Sequence, residues 1–187
     1  MKKIFFQSTS MHDLKIINHE PLMDSRGLLK RLYCQNSISQ FIQNKNIKQI
    51  NQTLTKKVGT VRGLHFQIPP YSETKIISCI KGKVWDVAVD LRMDSPTFLK
   101  YHGEELSEYD HKSILIPEGF AHGFQTLTSN CEMLYFHTEN YNKQSEGAVN
   151  AIDPKIGIDW PLEISNLSER DKNHSFIKDN FRGITSL

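Results

Sequence analysis

Residues 61–92 read VRGLHFQIPPYSETKIISCIKGKVWDVAVDLR, and they hold the clearest strand pattern in the chain. Ile76, Ile77 and Ile80 lie in a β-branched run, Lys81-Gly82 offers a two-residue turn, and residues 84–91 alternate strictly. The residues expected on one face are Trp85, Val87, Val89 and Leu91, and those on the other are Val84, Asp86, Ala88 and Asp90. The two runs and the turn between them predict a β-hairpin.

The first half of this segment is rich in polar side chains. Arg62, His65, Gln67 and Lys75 all fall beside apolar runs. Such a density of polar groups next to predicted strands indicates a functional site.

Outside this segment the chain is a succession of short strands. They are predicted at 28–33, 47–55, 99–106, 113–116, 121–127 and 131–138, with turn signals between them. This recurrence, with no alternating long helices, predicts an all-β sandwich or barrel. One short helix is predicted at 38–43, capped by Asn36 or Ser37.

The strand at 47–55 has a polar face made of Gln49, Asn51 and Thr53. That face either binds a polar ligand or is simply solvated, and the pattern favours neither.

Length and composition narrow the class of protein. A chain of 187 residues with 38% hydrophobic and 24% charged residues predicts one folded domain over residues 1–187. A formal net charge of +2 argues against nucleic acid or a membrane surface as the main partner. Cys34, Cys79 and Cys131 are widely spaced without a CxxC motif, so we expect free thiols and a cytoplasmic location.

The residues favour cofactor-independent chemistry. There is no GxGxxG or P-loop motif, and Pro117-x-Gly119-x-x-His122 resembles a second cupin motif whose first, histidine-paired motif is missing. We therefore expect no metal and no cofactor. The remaining groups suit proton transfer next to a carbonyl: His65 as base, Lys75 facing the enolate oxygen, and Tyr135 or Tyr141 as acid. The alternative is that the histidine and the tyrosines only pack.

Several long motifs carry a resemblance to one family. They are RGLHFQ (62–67), DVAVDLR (86–92), SPTF (95–98), IPEGFAHGF (116–124), Asp153-Pro154 with residues 156–161, and LSERD (167–171). In this order, from about Asp24 to Asp171, they resemble the dTDP-4-dehydrorhamnose 3,5-epimerase family.

The resemblance implies a cupin-like jelly-roll β-sandwich with a few short peripheral helices, and a metal-free enzyme. The implied substrate is a nucleotide-linked 4-keto-6-deoxy sugar used in deoxysugar and surface-polysaccharide synthesis. The catalytic roles would fall on His65 as base, Asp171 as its partner, Tyr135 as acid and Lys75 at the 4-keto oxygen. The implied substrate-binding residues are Arg26, Gln49, Asn51, Arg62, His122, Tyr141, Glu146 and Arg170. The resemblance also implies a homodimer with exchanged N-terminal strands, in which Arg26 serves the partner's site.

One departure from the family leaves alternatives open. Leu29, Lys30 and Arg31 stand where the family shows an aromatic and an acidic residue, so a CDP-linked or other nucleotide sugar is an alternative substrate. Inversion at C3 alone or C5 alone is a further alternative, and so is a non-catalytic protein that binds sugar nucleotides.

Overall fold

The computed structural model describes residues 4–185, so residues 1–3 and 186–187 of the expected domain lie outside the described residues. The strands are β1 (Ile4–Ser8), β2 (Lys15–His19), β3 (Leu22–Asp24), β4 (Gly27–Leu29), β5 (Gln49–Thr55), β6 (Val61–Gln67), β7 (Lys75–Lys81), β8 (Lys83–Asp90), β9 (Tyr101–Ser107), β10 (Lys112–Ile116), β11 (Phe120–Thr126), β12 (Cys131–His137) and β13 (Glu146–Ala148). The helices are α1 (Gln35–Ile38), a 3₁₀ helix (Ser39–Phe41) and α2 (Glu169–Lys172).

Two antiparallel sheets face each other and form a jelly-roll sandwich. The six-stranded sheet has the order β1-β2-β10-β7-β12-β5, and the five-stranded sheet has the order β13-β6-β11-β8-β9. β3 and β4 form a separate two-stranded hairpin. The predicted all-β, cupin-like class with short peripheral helices is confirmed. No helix in the described part of the chain is long and apolar enough to cross a membrane.

The predicted hairpin at Gly82 is wrong, although both of its strands exist. β7 pairs with β10 and β12 in the six-stranded sheet, whereas β8 pairs with β9 and β11 in the five-stranded sheet. Gly82, with φ +77°, therefore turns the chain from one sheet to the other. Each of the two strands lies between two neighbours of its own sheet. The alternation of side chains along a strand shows which residues share a face, but it does not show which other strand pairs with it.

Three layers of apolar side chains hold the sheets. Val84 and Ala88 lie between the sheets with Ile77, Ile114 and Phe124. The outer face of the five-stranded sheet carries Trp85, Val87, Val89 and Leu91, as predicted, and residues from the last part of the chain pack on it. The covering residues are Ile156, Ile158, Trp160, Ile177, Phe181 and Ile184. Ile38 and Ile42 cover the other sheet.

Local predictions were less accurate near the start of the chain. The helix begins at Gln35 after Cys34 rather than at residue 38, and a 3₁₀ helix then ends at Phe41. The strand expected at 28–33 ends at Leu29, and β1 and β13 were not predicted. The three cysteines are free, as expected.

Candidate active site

A cavity of about 310 Å³ opens between the two sheets. One wall comes from β6 and β11 of the five-stranded sheet, and the other from β5, β7 and β12 of the six-stranded sheet. The lining residues are Asn51, Thr53, Arg62, His65, Phe66, Gln67, Glu73, Lys75, His122, Phe124, Tyr135, His137, Tyr141, Glu146 and Arg170.

An irregularity in β6 turns both Arg62 and His65 toward the cavity. In a regular strand, two residues three apart point to opposite faces of the sheet. Here the register of β6 against β11 shifts between His122 and Phe124. Gly63 has φ +123°, and a Cβ on it would lie 2.6 Å from the Cα of Gly123. The shift therefore depends on a close approach that only glycines permit.

His65 and Asp171 form a hydrogen-bonded dyad. His65 Nε2 lies 2.8 Å from Asp171 Oδ1, although 106 residues separate them. Ser168 caps α2 by accepting a hydrogen bond from the Asp171 backbone N–H, and this fixes the carboxylate beneath the imidazole. Burial acts to raise the pKa of Asp171, but hydrogen bonding and charge from His65 outweigh it and bring the pKa down to about 2.

An ionised Asp171 holds the ring proton of His65 on Nε2. Nδ1 is then the nitrogen that can take a proton from a substrate.

Lys75 is held between the dyad and a second carboxylate. Its Nζ donates to the backbone carbonyl of His65 at 3.2 Å and lies 3.2 Å from Glu73 Oε1. Glu73 Oε2 in turn lies 2.7 Å from His137 Nδ1. Burial acts to raise the pKa of Glu73, but Lys75 and His137 overcome it, so the pKa lies below its usual value. A fixed ammonium group thus faces the same cavity as the base.

Tyr135 lies on the wall opposite His65. It belongs to β12, and its hydroxyl lies 3.5 Å from Thr53 Oγ1. Burial raises the pKa of Tyr135, so the phenol keeps its proton at neutral pH. The Tyr135 ring packs edge-on against His122, whose Nε2 lies 2.9 and 3.0 Å from the carboxylate oxygens of buried Asp86. The protonated phenol of Tyr135 and the imidazole of His65 therefore face each other across the cavity.

Charged side chains gather at the rim near Arg170. Arg170 donates from Nη1 to Glu146 Oε1 at 3.1 Å, and its Nη2 lies 3.0 Å from His65 Nε2. Tyr141 donates from its hydroxyl to Glu146 Oε2 at 3.0 Å. Arg62, which also lines the cavity, donates from Nε to Thr55 Oγ1 at 2.9 Å.

Most of the predicted site residues meet at this cavity. The predicted residues that line it are Asn51, Arg62, His65, Lys75, His122, Tyr135, Tyr141, Glu146 and Arg170. Asp171 lies behind His65, and Gln49 accepts a hydrogen bond from the backbone of Tyr141 at 3.0 Å. Arg26 is not brought to the cavity of its own chain; it lies at the exposed β3–β4 turn, paired with Asp24.

Glu73 and His137 were not predicted as site residues. Both could have been found from strand periodicity, because Glu73 precedes Lys75 by two residues and His137 follows Tyr135 by two residues. Side chains two apart in a strand share a face. His174 was not predicted either, and its Nε2 lies 3.5 Å from Asp171 Oδ1. His65, Asp171 and His174 could together hold a metal ion, so the expectation of no metal stays a prediction.

Taken chemically, the site is that of an acid–base enzyme built inside a jelly roll. The family described as dTDP-4-dehydrorhamnose 3,5-epimerase matches residues 8–179. A dTDP-4-dehydrorhamnose 3,5-epimerase of Salmonella typhimurium is 39% identical over 165 residues, covering 87% of this chain and 90% of that protein. The chain belongs to the dTDP-4-dehydrorhamnose 3,5-epimerase family, which is a family of isomerases.

Two solved structures agree in fold. The dTDP-4-dehydrorhamnose 3,5-epimerase of Bacillus anthracis with TDP and PPi bound has a TM-score of 0.89 against this chain, with 33% identity over 94% of this chain and 100% of that chain. The dTDP-6-deoxy-D-glucose-3,5-epimerase of Legionella pneumophila in complex with dTDP-4-keto-L-rhamnose has a TM-score of 0.88, with 33% identity and 93% of each chain covered.

Proposed function

We propose that this protein inverts C3 and C5 of a dTDP-linked 4-keto-6-deoxyhexose in deoxysugar biosynthesis. The observation that carries the proposal is a pair of opposed groups at one cavity: His65 on β6, backed by Asp171 on α2, and the Tyr135 phenol on β12. Membership of the epimerase family supports the same reaction.

The reaction starts with proton removal next to the 4-keto group. His65 Nδ1 takes the proton, and the electron pair of the C–H bond moves into an enolate whose oxygen faces Lys75 Nζ. Asp171 stabilises the imidazolium that forms, since a carboxylate at 2.8 Å favours the charged ring. Tyr135 then donates its phenolic proton to the opposite face of the carbon. Afterwards the His65 imidazolium releases its proton to solvent, and solvent returns a proton to Tyr135. The configuration at that carbon is thereby inverted.

The rim suits the diphosphate end of the substrate. Arg62 and Arg170 both line the cavity, and a guanidinium gives paired hydrogen bonds to phosphate oxygens. Asn51 and Gln49 lie on the neighbouring edge strand β5, where their amides can bind the nucleotide. His122, Tyr141 and Glu146 complete the proposed substrate-binding set.

We also propose a homodimer in which the β3–β4 hairpin docks on its partner. Leu22, Met23, Leu28 and Leu29 of this hairpin are all exposed, and an exposed apolar patch of this kind is typical of an interface. β5 ends the six-stranded sheet and also exposes apolar side chains, so it offers an edge for strand addition. Docking there would bring Arg26 toward the partner's cavity, whose wall includes β5.

Sedimentation of the purified protein tests the dimer. We expect a dimer for the unaltered chain and for Arg26→Ala, with weaker dTDP binding in that variant. Met23→Lys should shift the protein toward monomer. A monomer that retains full activity would exclude a shared site.

Two further parts of the proposal concern the whole chain. We propose that residues 1–187 act as one domain, because the three apolar layers share the same two sheets. We propose a cytoplasmic location, because the three free cysteines suit a reducing compartment.

Incubation in heavy water with 4-keto-6-deoxy sugars on dTDP and on CDP tests the function. We expect deuterium at both C3 and C5 with the dTDP sugar, and at least ~10²-fold slower incorporation in His65→Asn, the lower end for loss of a general base. Deuterium at one carbon only would indicate a single-position epimerase. Faster reaction of the CDP sugar would indicate that the substrate is CDP-linked and not dTDP-linked. Binding without any deuterium incorporation would indicate a non-catalytic protein.

A further inference from the structure

A second imidazole lies beside Asp171, and the epimerisation proposed above does not use it. His174 Nε2 is 3.5 Å from Asp171 Oδ1, and His65 Nε2 is 2.8 Å from the same oxygen. One possible ligand atom from each of the three side chains lies within 4.8 Å of the other two. We propose that these side chains form a site for a divalent transition-metal ion, best suited to Zn²⁺, and that the bound ion inhibits the enzyme. Only the inhibition rests on the proposed function.

The ligand set and its spacing suit zinc. Zn²⁺ takes imidazole nitrogen and carboxylate oxygen at about 2.0–2.2 Å, so neighbouring tetrahedral ligands lie about 3.4 Å apart. The Asp171–His174 separation of 3.5 Å already has this value, and the Asp171–His65 separation of 2.8 Å requires a shift of less than about 1 Å. Two imidazoles and one carboxylate leave a fourth position for water.

His174 lacks another role for its ring nitrogen. The Nε2 atom is buried and makes no hydrogen bond within residues 4–185. A buried ring nitrogen without a hydrogen bond costs free energy even at 3.5 Å from a carboxylate oxygen, and a metal bond would recover that cost. The backbone of His174 is held in place, because Asn150 Nδ2 donates to its carbonyl oxygen at 2.8 Å. The backbone of His174 is thus held in place, and the fold does not depend on a hydrogen bond from the Nε2 atom of its imidazole.

The remaining ligand and the approach to it also suit a cation. Asp171 supplies a carboxylate oxygen, which is one of the ligands that Zn²⁺ takes in proteins. A second recess, of about 430 Å³, is lined by His65 and Asp171 and by the guanidinium groups of Arg62 and Arg170, and it also reaches the dyad. Metal ions could enter by this recess.

One group opposes the ion. Arg170 Nη2 lies 3.0 Å from His65 Nε2, and its positive charge would repel a metal there. The Arg170 side chain is 55% exposed and is also paired with Glu146 through Nη1 at 3.1 Å. Its Nε also lies 3.8 Å from Asp171 Oδ1, so the side chain has to turn away from both ligands before an ion can bind, and we expect this charge to weaken the site.

A metal at this position would stop the base. Bonding to Nε2 of His65 removes the proton from that nitrogen and leaves the ring proton on Nδ1. Nδ1 then has no lone pair for the substrate proton. The ion therefore inhibits by changing the tautomer of His65. It does not have to enter the main cavity or displace the substrate.

Titration of the EDTA-treated protein with ZnCl₂, followed by calorimetry, tests binding directly. We expect one ion per chain at this site, and at least ~10-fold weaker binding in His174→Ala, the range for a lost metal-site interaction. CoCl₂ should give the visible absorption of a four-coordinate Co²⁺ ion in the unaltered protein and lose it in His174→Ala. His12→Ala is the matched control, because His12 pairs with Asp13 at 2.8 Å on the surface. It should bind Zn²⁺ as the unaltered protein does.

Activity provides the second readout. With each rate expressed relative to the same protein without metal, ZnCl₂ should inhibit the unaltered protein at least ~10-fold more strongly than His174→Ala. His174→Gln repeats the test with a side chain closer in size, and circular dichroism checks that both variants fold. Equal zinc binding in the histidine variants and the unaltered protein would overturn the proposal. Loss of zinc binding in both variants from a protein without epimerase activity would leave the metal site standing and remove the proposed function.

Discussion

The role of Asp171 is best tested by Asp171→Asn, which keeps the size of the side chain and removes its charge. His65 Nε2 lies 2.8 Å from Asp171 Oδ1, and the two side chains are 29% and 5% exposed. In the proposed mechanism His65 takes the substrate proton and becomes an imidazolium. The structure therefore predicts that the carboxylate stabilises the transition state more than the ground state.

The size of the effect follows from the distance. Two opposite charges about 4 Å apart interact with about 4 kcal/mol at an effective dielectric constant of about 20. If the proton is about half transferred in the transition state, about 2 kcal/mol is lost, which slows the reaction about 30-fold. The amide introduced by Asp171→Asn can also turn its NH₂ toward Nε2 and move the ring proton to Nδ1, which slows the reaction further. We expect a loss in kcat/KM of at least ~30-fold.

The assay is the rate of deuterium incorporation into the sugar, followed by proton NMR, with dTDP binding measured in parallel. Binding should change little, because the dyad is not a nucleotide contact. Glu169→Gln is the control: it lies two residues earlier on α2, its side chain is 82% exposed, and it pairs with Lys172 at 2.7 Å. If kcat/KM of Asp171→Asn stays within ~3-fold of the value for the unaltered enzyme, Asp171 does not stabilise the imidazolium of His65 as proposed.

The other predictions concern the acid, a buried pair and the pH dependence of stability. Tyr135→Phe should still exchange substrate hydrogen with solvent but lose inverted product by ~10²-fold, because only reprotonation is impaired; an unchanged ratio of exchange to inversion in heavy water would contradict this. Asp86→Ala should lower the free energy of unfolding by about 3 kcal/mol, since it leaves His122 buried without its carboxylate; a change below about 1 kcal/mol in urea unfolding would argue against this cost. Burial lowers the pKa of His19, which is 5% exposed, to about 4. Below about pH 6.5, the ordinary pKa of histidine, His19 becomes protonated in the unfolded chain but stays neutral in the native state. The free energy of unfolding should therefore fall by about 2 kcal/mol from pH 7 to pH 4.5. His19→Gln should remove this part of the slope in urea titrations, and an unchanged slope would exclude His19 as its source.

The strands of the central segment could be predicted because their pattern is local. Residues 84–91 alternate, and the structure puts Val84 and Ala88 between the sheets and Val87 and Val89 outside. The partner of each strand could not be predicted, because Gly82 can end a hairpin or carry the chain across the sandwich equally well. The missed strand β13 has only three residues, Glu146–Ala148, too few for any alternation to be recognised.

The candidate site divides in the same way. His65, Lys75 and Tyr135 were predicted, and they do meet in one cavity. From the residues alone, Asp171 had no visible connection to His65 and entered through the family resemblance, because the contact spans 106 residues. Arg26 remains a prediction for the dimer, since its role depends on a second copy of the chain.

The long separation between His65 and Asp171 has a consequence for the protein during its synthesis. At about 5–20 residues per second, the ribosome needs roughly 5 to 20 s to make the chain between them. Over that interval the nascent chain contains β6 with His65 but not yet Asp171. The outer face of the five-stranded sheet, with Leu64, Val87 and Val89, also waits for the later residues that cover it, such as Phe181 and Ile184. A growing chain therefore exposes an apolar sheet face before it has a working dyad, and that face is where a chaperone would be expected to bind.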